Sequence, residues 1–441
     1  MVITGGCLNF DPMKYIGLII YLLIGSTVFA QPKTDTLLQN MLRLNSNQLL
    51  QKVVKQKDSF RLQIIYTQIN RDKNNQPSFK NYYFNVDTDL YFNPASTVKL
   101  PLAMLALEKL NMLKATGVNK FTALQIDSSY EKQTRVLTDS SAQHNLPSIA
   151  HYIKKAFLVS DNDAYNRLYE FIGQQTINRQ LHGKGYKSIR ITRQFLGLSA
   201  EQNRHTNPFH FFNTNGSHIY TQPAAYNNDS FYFGKTVKVG KAFYNNKDSL
   251  VNEPIDFTRV NNLPLEDLQQ ILQSVLFPSS VPARQRFNLS DIDYRFIYQY
   301  LSQFPSETNY PKYDGTQYYD SYVKFYFRNN LHQMPPDVRV FNKVGWAYGF
   351  LIDVSYIVDF KNKVEFMLTS TLYVNSDDIL NDDKYEYESI GWPFLYELGK
   401  TVYRYELQRK RKFYPDLQKF KLKYEKRNLL DNRPTIKNVD N

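Results

Sequence analysis

Cysteine is almost missing from this 441-residue chain: the one present is Cys7. A lone thiol excludes an internal disulfide and a Cys-ligated zinc site. Cys7 also precedes the first apolar run, so a chain processed after that run has no cysteine nucleophile, and Cys7 is misplaced for a lipid anchor. Histidine is scarce, at 7 residues. His205 and His210 stand in no metal-ligand spacing and read as solvent-facing or core side chains. Zinc-finger spacing, an RNP-like strand, a helix-turn-helix signal and internal repeats are all lacking. Nucleic acid is therefore not an expected partner, despite a net charge of +13. That charge bears on solubility and on attraction to anionic surfaces, not on fold. The apolar run from Tyr15 to Ile24 is shorter than the roughly 20 residues that span a bilayer comfortably.

What the chain does have is 42% hydrophobic and 15% aromatic residues, enough to bury a large core. Lys14, the run from Tyr15 to Ile24 and Val28-Phe29-Ala30 before Gln31 read together as a secretory signal. We therefore expect residues 1–30 to be an N-terminal extension and signal peptide, and the protein to be exported, in the periplasm. Apolar spacing predicts a helix over 35–57. Strands are expected over 59–69 and 79–86 around a polar turn, and a nearly all-apolar helix from Ser96 to about Leu113. A polar stretch over 115–145 precedes a helix over 148–158, and a second helical run reaches Ile172. Residues 189–208 read as a loop. Residues 209–337 read as an insertion, lid-like or a small subdomain, with one helix over 265–276; its Tyr318, Tyr319, Tyr322, Phe325, Tyr326 and Phe327 read as core. Strands over 340–346, 350–359 and 364–373 form a meander, followed by a helix over 390–405 and a basic tail over 406–441. The tail's charge run reads as solvated, or as a surface for anionic envelope polymers. Strands at both ends with helices between them predict an α+β domain over 31–405, in which N- and C-terminal strands share one antiparallel sheet.

Three short elements carry chemistry. Ser96-x-x-Lys99 opens the apolar helix, and residues three apart share a helix face, so the Lys99 amine can reach the Ser96 hydroxyl. Ser160-Asp161-Asn162 follows: Ser160 can pass a proton to a leaving nitrogen, and Asn162 can orient Lys99 and a substrate amide. Lys343-Val344-Gly345 lies on a strand, where Lys343 adds positive charge for a substrate carboxylate and Gly345 allows close backbone approach.

In this order the elements resemble the signatures S-x-x-K, S-D-N and K-T-G of the serine β-lactamase and penicillin-binding protein superfamily, most like class A β-lactamases. The resemblance implies a β-lactamase-like fold without a cofactor or metal, with Ser96 as nucleophile and Lys99, Ser160, Asn162 and Lys343 around it. It further implies an oxyanion hole made by the backbone N–H groups of Ser96 and Trp346. Val344 replaces the family's hydroxyl residue. Phe195 falls where the deacylating glutamate is expected, leaving Glu201 as the nearest carboxylate. The resemblance points to a β-lactam substrate. A peptidase or esterase acting on peptidoglycan stems, or a non-catalytic envelope-binding relative, are the other readings.

Overall fold

The computed structural model describes residues 1, 2, 5 and 32–439. The expected signal, over 13–30, lies outside them. By its contacts the chain divides into Met1–Pro32 and Lys33–Asn441, and among the described residues the sheets and helices belong to the second unit. Among the described residues no helix is long and apolar enough to cross a membrane.

A five-stranded antiparallel sheet organises this unit. It is built from β1 (Gln63–Arg71), β2 (Pro77–Phe84), and the late strands β6 (Val338–Ala347), β7 (Phe350–Asp359) and β8 (Val364–Tyr373), in the order β6-β7-β8-β1-β2. The N-terminal strands thus join the C-terminal ones through the β1–β8 pair, with Gln63 opposite Thr371. This is the α+β arrangement that the strand placement implies. β7 and β8 are buried on both faces because helices cover both.

One cover consists of α1 (Thr36–Arg43), α2 (Gln48–Lys55) and the long α9 (Trp392–Gln408), which bury Leu38, Leu50 and Leu395 with Ile64, Val344 and Leu351. The single helix expected over 35–57 is therefore two. The break falls at Asn45–Asn47, where Asn47 accepts a hydrogen bond from the Leu50 N–H and caps α2.

The other cover is mostly helical. Its centre is α3 (Lys99–Met112), whose residues from Lys99 to Glu108 are all buried. A stretch apolar all round must be enclosed all round. Packed with it are α4 (Ile149–Leu158), α5 (Asn162–Ile172), α6 (Gln174–Gly183), α7 (Leu265–Leu276) and α8 (Asp291–Ser302). Strands β3 (Ala123–Ile126), β4 (Phe209–Phe212) and β5 (His218–Gln222) form a small sheet beside them. Two expectations change here. The polar stretch over 115–145 contains β3, too short to alternate visibly. Residues 209–337 share the central core through α7, α8, Phe209 and Phe211 instead of standing apart. The aromatic run is largely core, with Phe325, Tyr326, Phe327 and Tyr318 buried.

The tail differs from a solvated segment. Arg409 and Arg411 both pair with the buried Glu406. Phe420 is buried among Phe277, Tyr298, Phe341 and Tyr356. Glu425 binds Lys154 at 2.9 Å. The basic residues are spaced by Leu417, Phe420 and Tyr424, and those side chains find partners on the helical cover.

Candidate active site

Ser96 lies in a short 3-10 turn, Ala95–Val98, that leads directly into α3. Ala95, just before it, has φ +43°, a left-handed conformation that costs a non-glycine residue about 1–2 kcal/mol. The turn is held from behind by the edge strand β6. A Cβ placed on Gly345 would stand 2.8 Å from the Pro94 carbonyl oxygen and 2.9 Å from the Ser96 nitrogen. Gly345 thus allows a close approach of the Ser96 turn to β6. We expect Gly345→Ala to push Ser96 out of place and slow acylation about 100-fold. Rates unchanged in a folded variant would refute that packing role.

Lys99 begins α3 and points at its predicted partners. Its Nζ donates to Ser96 Oγ at 2.7 Å, to Asn162 Oδ1 at 2.8 Å and to the Ser160 carbonyl oxygen, and it lies 3.4 Å from Ser160 Oγ. The turn between α4 and α5 supplies these groups. Ser160 has φ +65°, and Asp161 caps α5 by accepting the Ala164 N–H at 2.7 Å. Asp161 also meets Lys155 at 3.3 Å, which stands 3.6 Å from Asp139. Burial disfavours the charge on Lys155, but Asp161 and Asp139 outweigh it and raise its pKa.

Lys343 closes the cluster from β6, donating to Ser160 Oγ and to the Val344 carbonyl oxygen, each at 2.8 Å. Burial, and next the charge of Lys99, hold its pKa well below the usual lysine range. Ser160 Oγ therefore sits between two amines, on a continuous hydrogen-bonded path Ser96–Lys99–Ser160–Lys343.

Strand register explains two further positions. β6 and β7 join through the two-residue turn Tyr348-Gly349, with φ +53° and +80°, and Ala347 faces Phe350. Such a hairpin makes Ala347–Phe350 a hydrogen-bonded pair, so the Trp346 N–H points outward along the open edge where the Ser96 turn packs. Val344 is fully buried in the core on the α9 side. A hydroxyl there would enter an apolar layer.

Phe195 is a neighbour of the cluster: its ring centroid lies 5.0 Å from Lys99 Nζ and it stacks on Tyr165 at 4.3 Å. Asn166, on α5, accepts the Phe195 N–H at 2.8 Å and fixes the loop there. Sequence reasoning did not reach Asn166 and Tyr165; their offset from Ser160 on one helix is the signal that could have found them. Glu201 is elsewhere. Its half-exposed carboxylate meets His205 at 3.3 Å and Arg204 at 3.9 Å, and neither partner belongs to the cluster. The helical turn over Gln202–Arg204 turns it towards those side chains.

His205 stacks on Tyr130, and His210 binds Thr221 and Asp127. Among the described residues no three His, Cys, Asp or Glu side chains are grouped to hold a metal ion.

A second buried polar group carries no sequence signal. Lys324 Nζ donates to Asn342 Oδ1 at 2.7 Å and to the carbonyl oxygens of Leu301 and Val340, while Asn342 donates to Asp353 at 3.0 Å. Burial lowers the Lys324 pKa to about 7, and burial raises that of Asp353 to about 7.

Comparison with known proteins finds a family likeness over part of the chain. Residues 45–226 match the model of the Beta-lactamase enzyme family, Beta-lactamase2. No curated protein matches the chain. Solved structures similar to it include a β-lactamase from Xanthomonas campestris pv. campestris, at 13% identity over 84% of this chain and 99% of that one, with TM-score 0.45. Another is a β-lactamase from Sphaerobacter thermophilus, at 14% identity over 82% and 97%, with TM-score 0.43. A class A β-lactamase from Mycobacterium abscessus shows 12% identity over 80% and 98%, also with TM-score 0.43. Likenesses this distant add nothing to the match over 45–226. That match covers the first two elements; Lys343 lies beyond it and is brought to them by the sheet. Over residues 45–226 the chain is similar to the Beta-lactamase enzyme family, and its three short elements resemble those of the serine β-lactamase superfamily.

Proposed function

We propose that Ser96 attacks the carbonyl of a β-lactam-type amide and forms an acyl-enzyme. The hydrogen bond between Lys99 Nζ and Ser96 Oγ carries this reading. Lys99, fixed by Asn162 and Ser160, takes the Ser96 proton as the Oγ–C bond forms. The Ser96 and Trp346 N–H groups receive the negative oxygen, each donor contributing about 3 kcal/mol to the transition state. Ser160 returns a proton to the departing nitrogen as the C–N bond breaks, with Lys343 behind it. The product is an ester on Ser96.

Phe195 bears on the second half of the reaction. An aromatic ring cannot activate water, so the ester is long-lived and hydrolysis slow. This favours, as a second reading, a peptidoglycan D-Ala peptidase or esterase of the penicillin-binding type, in which a stable penicillin adduct is the expected behaviour. The signal-like segment over 13–30 supports export to the periplasm, where either substrate would be met. The basic tail's contact with an anionic envelope surface is a further part of this proposal.

Incubation with benzylpenicillin followed by intact-mass measurement tests it. The expected result is one penicillin adduct on the peptide containing Ser96, persisting for minutes or longer. No adduct and no turnover would leave a non-catalytic relative. Release of D-alanine from a muropeptide separates the peptidase from the β-lactamase.

A further inference from the structure

Three arginines on and beside the loop that carries Phe195 have no carboxylate to meet them. Arg179 and Arg204, in the same region, pair with Asp229 and Glu201. Among the described residues Arg190, Arg193 and Arg259 have no such partner within 4.0 Å. Arg190 Nε is buried with no hydrogen-bond partner. Asp256 is the carboxylate that feels Arg259, and it is capped by the Thr258 N–H at 2.7 Å.

The three belong to one patch. Arg190 and Arg259 each place their guanidinium carbon 5.4 Å from the Phe233 ring centroid, so they stand no more than about 11 Å apart. Arg193 is tied in through Asn261, whose side-chain oxygen accepts the Arg193 N–H at 3.1 Å and whose carbonyl oxygen accepts the Tyr91 hydroxyl at 3.4 Å. Backbone contacts make the patch rigid: Asn261 Oδ1 accepts the N–H groups of Thr192 and Arg193, and the Arg190 and Asn262 backbones bond to each other.

The patch also adjoins the nucleophile. Arg193 is two residues before Phe195, whose ring lies against Lys99, and its carbonyl oxygen accepts the Tyr165 hydroxyl at 2.8 Å. Unpaired guanidinium groups held together repel one another, and an anion relieves that repulsion through paired, charge-assisted hydrogen bonds. Lys343 cannot do this work, because it is buried and bound to Ser160 and Val344.

We propose that Arg190, Arg193 and Arg259 form an anion subsite at the rim of the Ser96 cleft, receiving a carboxylate that the substrate carries away from the bond being broken. The inference rests on Ser96 being acylated, and it names the substrate class: an acyl donor with an acidic side chain.

The test compares acylation of Ser96 in the full chain by two penicillins that differ in a side-chain carboxylate, benzylpenicillin and carboxybenzylpenicillin. At low salt the carboxylated compound is expected to react about tenfold faster, and about 0.5 M salt should remove most of that preference by screening. In Arg190→Gln/Arg193→Gln/Arg259→Gln the ratio should fall to near one. Arg259 is exposed, so Arg259→Gln alone keeps the fold and should lower the ratio about threefold. A ratio of one in the unaltered chain, or an unchanged ratio in a folded variant, overturns the subsite. Calorimetric titration with citrate runs beside it, and binding should be lost in the triple variant, or weakened in Arg259→Gln. If neither penicillin labels Ser96, the acylation reading fails and citrate alone decides, with absence of binding overturning the subsite.

Discussion

Ser96→Ala is expected to abolish the covalent adduct and lower any turnover on the order of a million-fold, the scale seen when a hydrolase loses its nucleophile. The attacking oxygen is gone, while Lys99 keeps Asn162 and the Ser160 carbonyl as partners, so the fold persists. One hydrogen bond is lost at a cost of about 1 kcal/mol. Intact-mass measurement after penicillin, alongside a thermal melt, checks both halves. An adduct surviving in the variant places the nucleophile elsewhere. Lys99→Ala should approach the same loss with Ser96 still present, because Lys99 is the amine bonded to Ser96 Oγ and positioned to take its proton.

The second large effect runs the other way. Phe195→Glu sets a carboxylate where a ring now lies 5.0 Å from Lys99 Nζ. A base at that range can activate water against the Ser96 ester, and positioned bases contribute about 100- to 10,000-fold. Adduct lifetime should shorten by that factor while the acylation rate changes little. Stability should fall by about 1 kcal/mol, since the stack on Tyr165 is lost. Measuring the adduct's decay in both proteins decides the matter: equal lifetimes would mean that Phe195 is not what slows release.

The cluster was legible because its residues sit at fixed offsets within local turns. Ser96 and Lys99 are three apart, and Ser160 to Asn162 are adjacent, so short-range order carries most of the geometry. α3 announced itself by being apolar on every side. Strand alternation read the meander to within a residue or two, and the sheet's closure by both chain ends followed from it.

Other features depend on partners far along the chain. The break at Asn45–Asn47 lies in a stretch whose apolar spacing continues across it. α8 was hidden because its aromatic residues face several neighbours at once, although its capping box, Ser290 with Asp293, is a local signal. That Val344 packs into the α9 layer depends on partners some fifty residues further on. Lys324, Asn342 and Asp353 come from three segments, and no local pattern joins them. The basic tail looked solvated because charge dominates its composition, whereas a few apolar residues decide where it lies.

The tail's last described contacts bear on when the Ser96 cluster can assemble. Ile436 and Val439 pack against the cluster of Leu158, Val159, Tyr313 and Tyr318, directly behind the turn that presents Ser160. β1 meanwhile waits for β8, some three hundred residues later, before its outer edge is paired. During synthesis Ser96 and Ser160 are made long before the segments that close the sheet and back the Ser160 turn. Such long-range closure folds slowly. The Ser96–Lys99–Ser160–Lys343 arrangement therefore assembles late, and a nascent chain carries these side chains apart from one another.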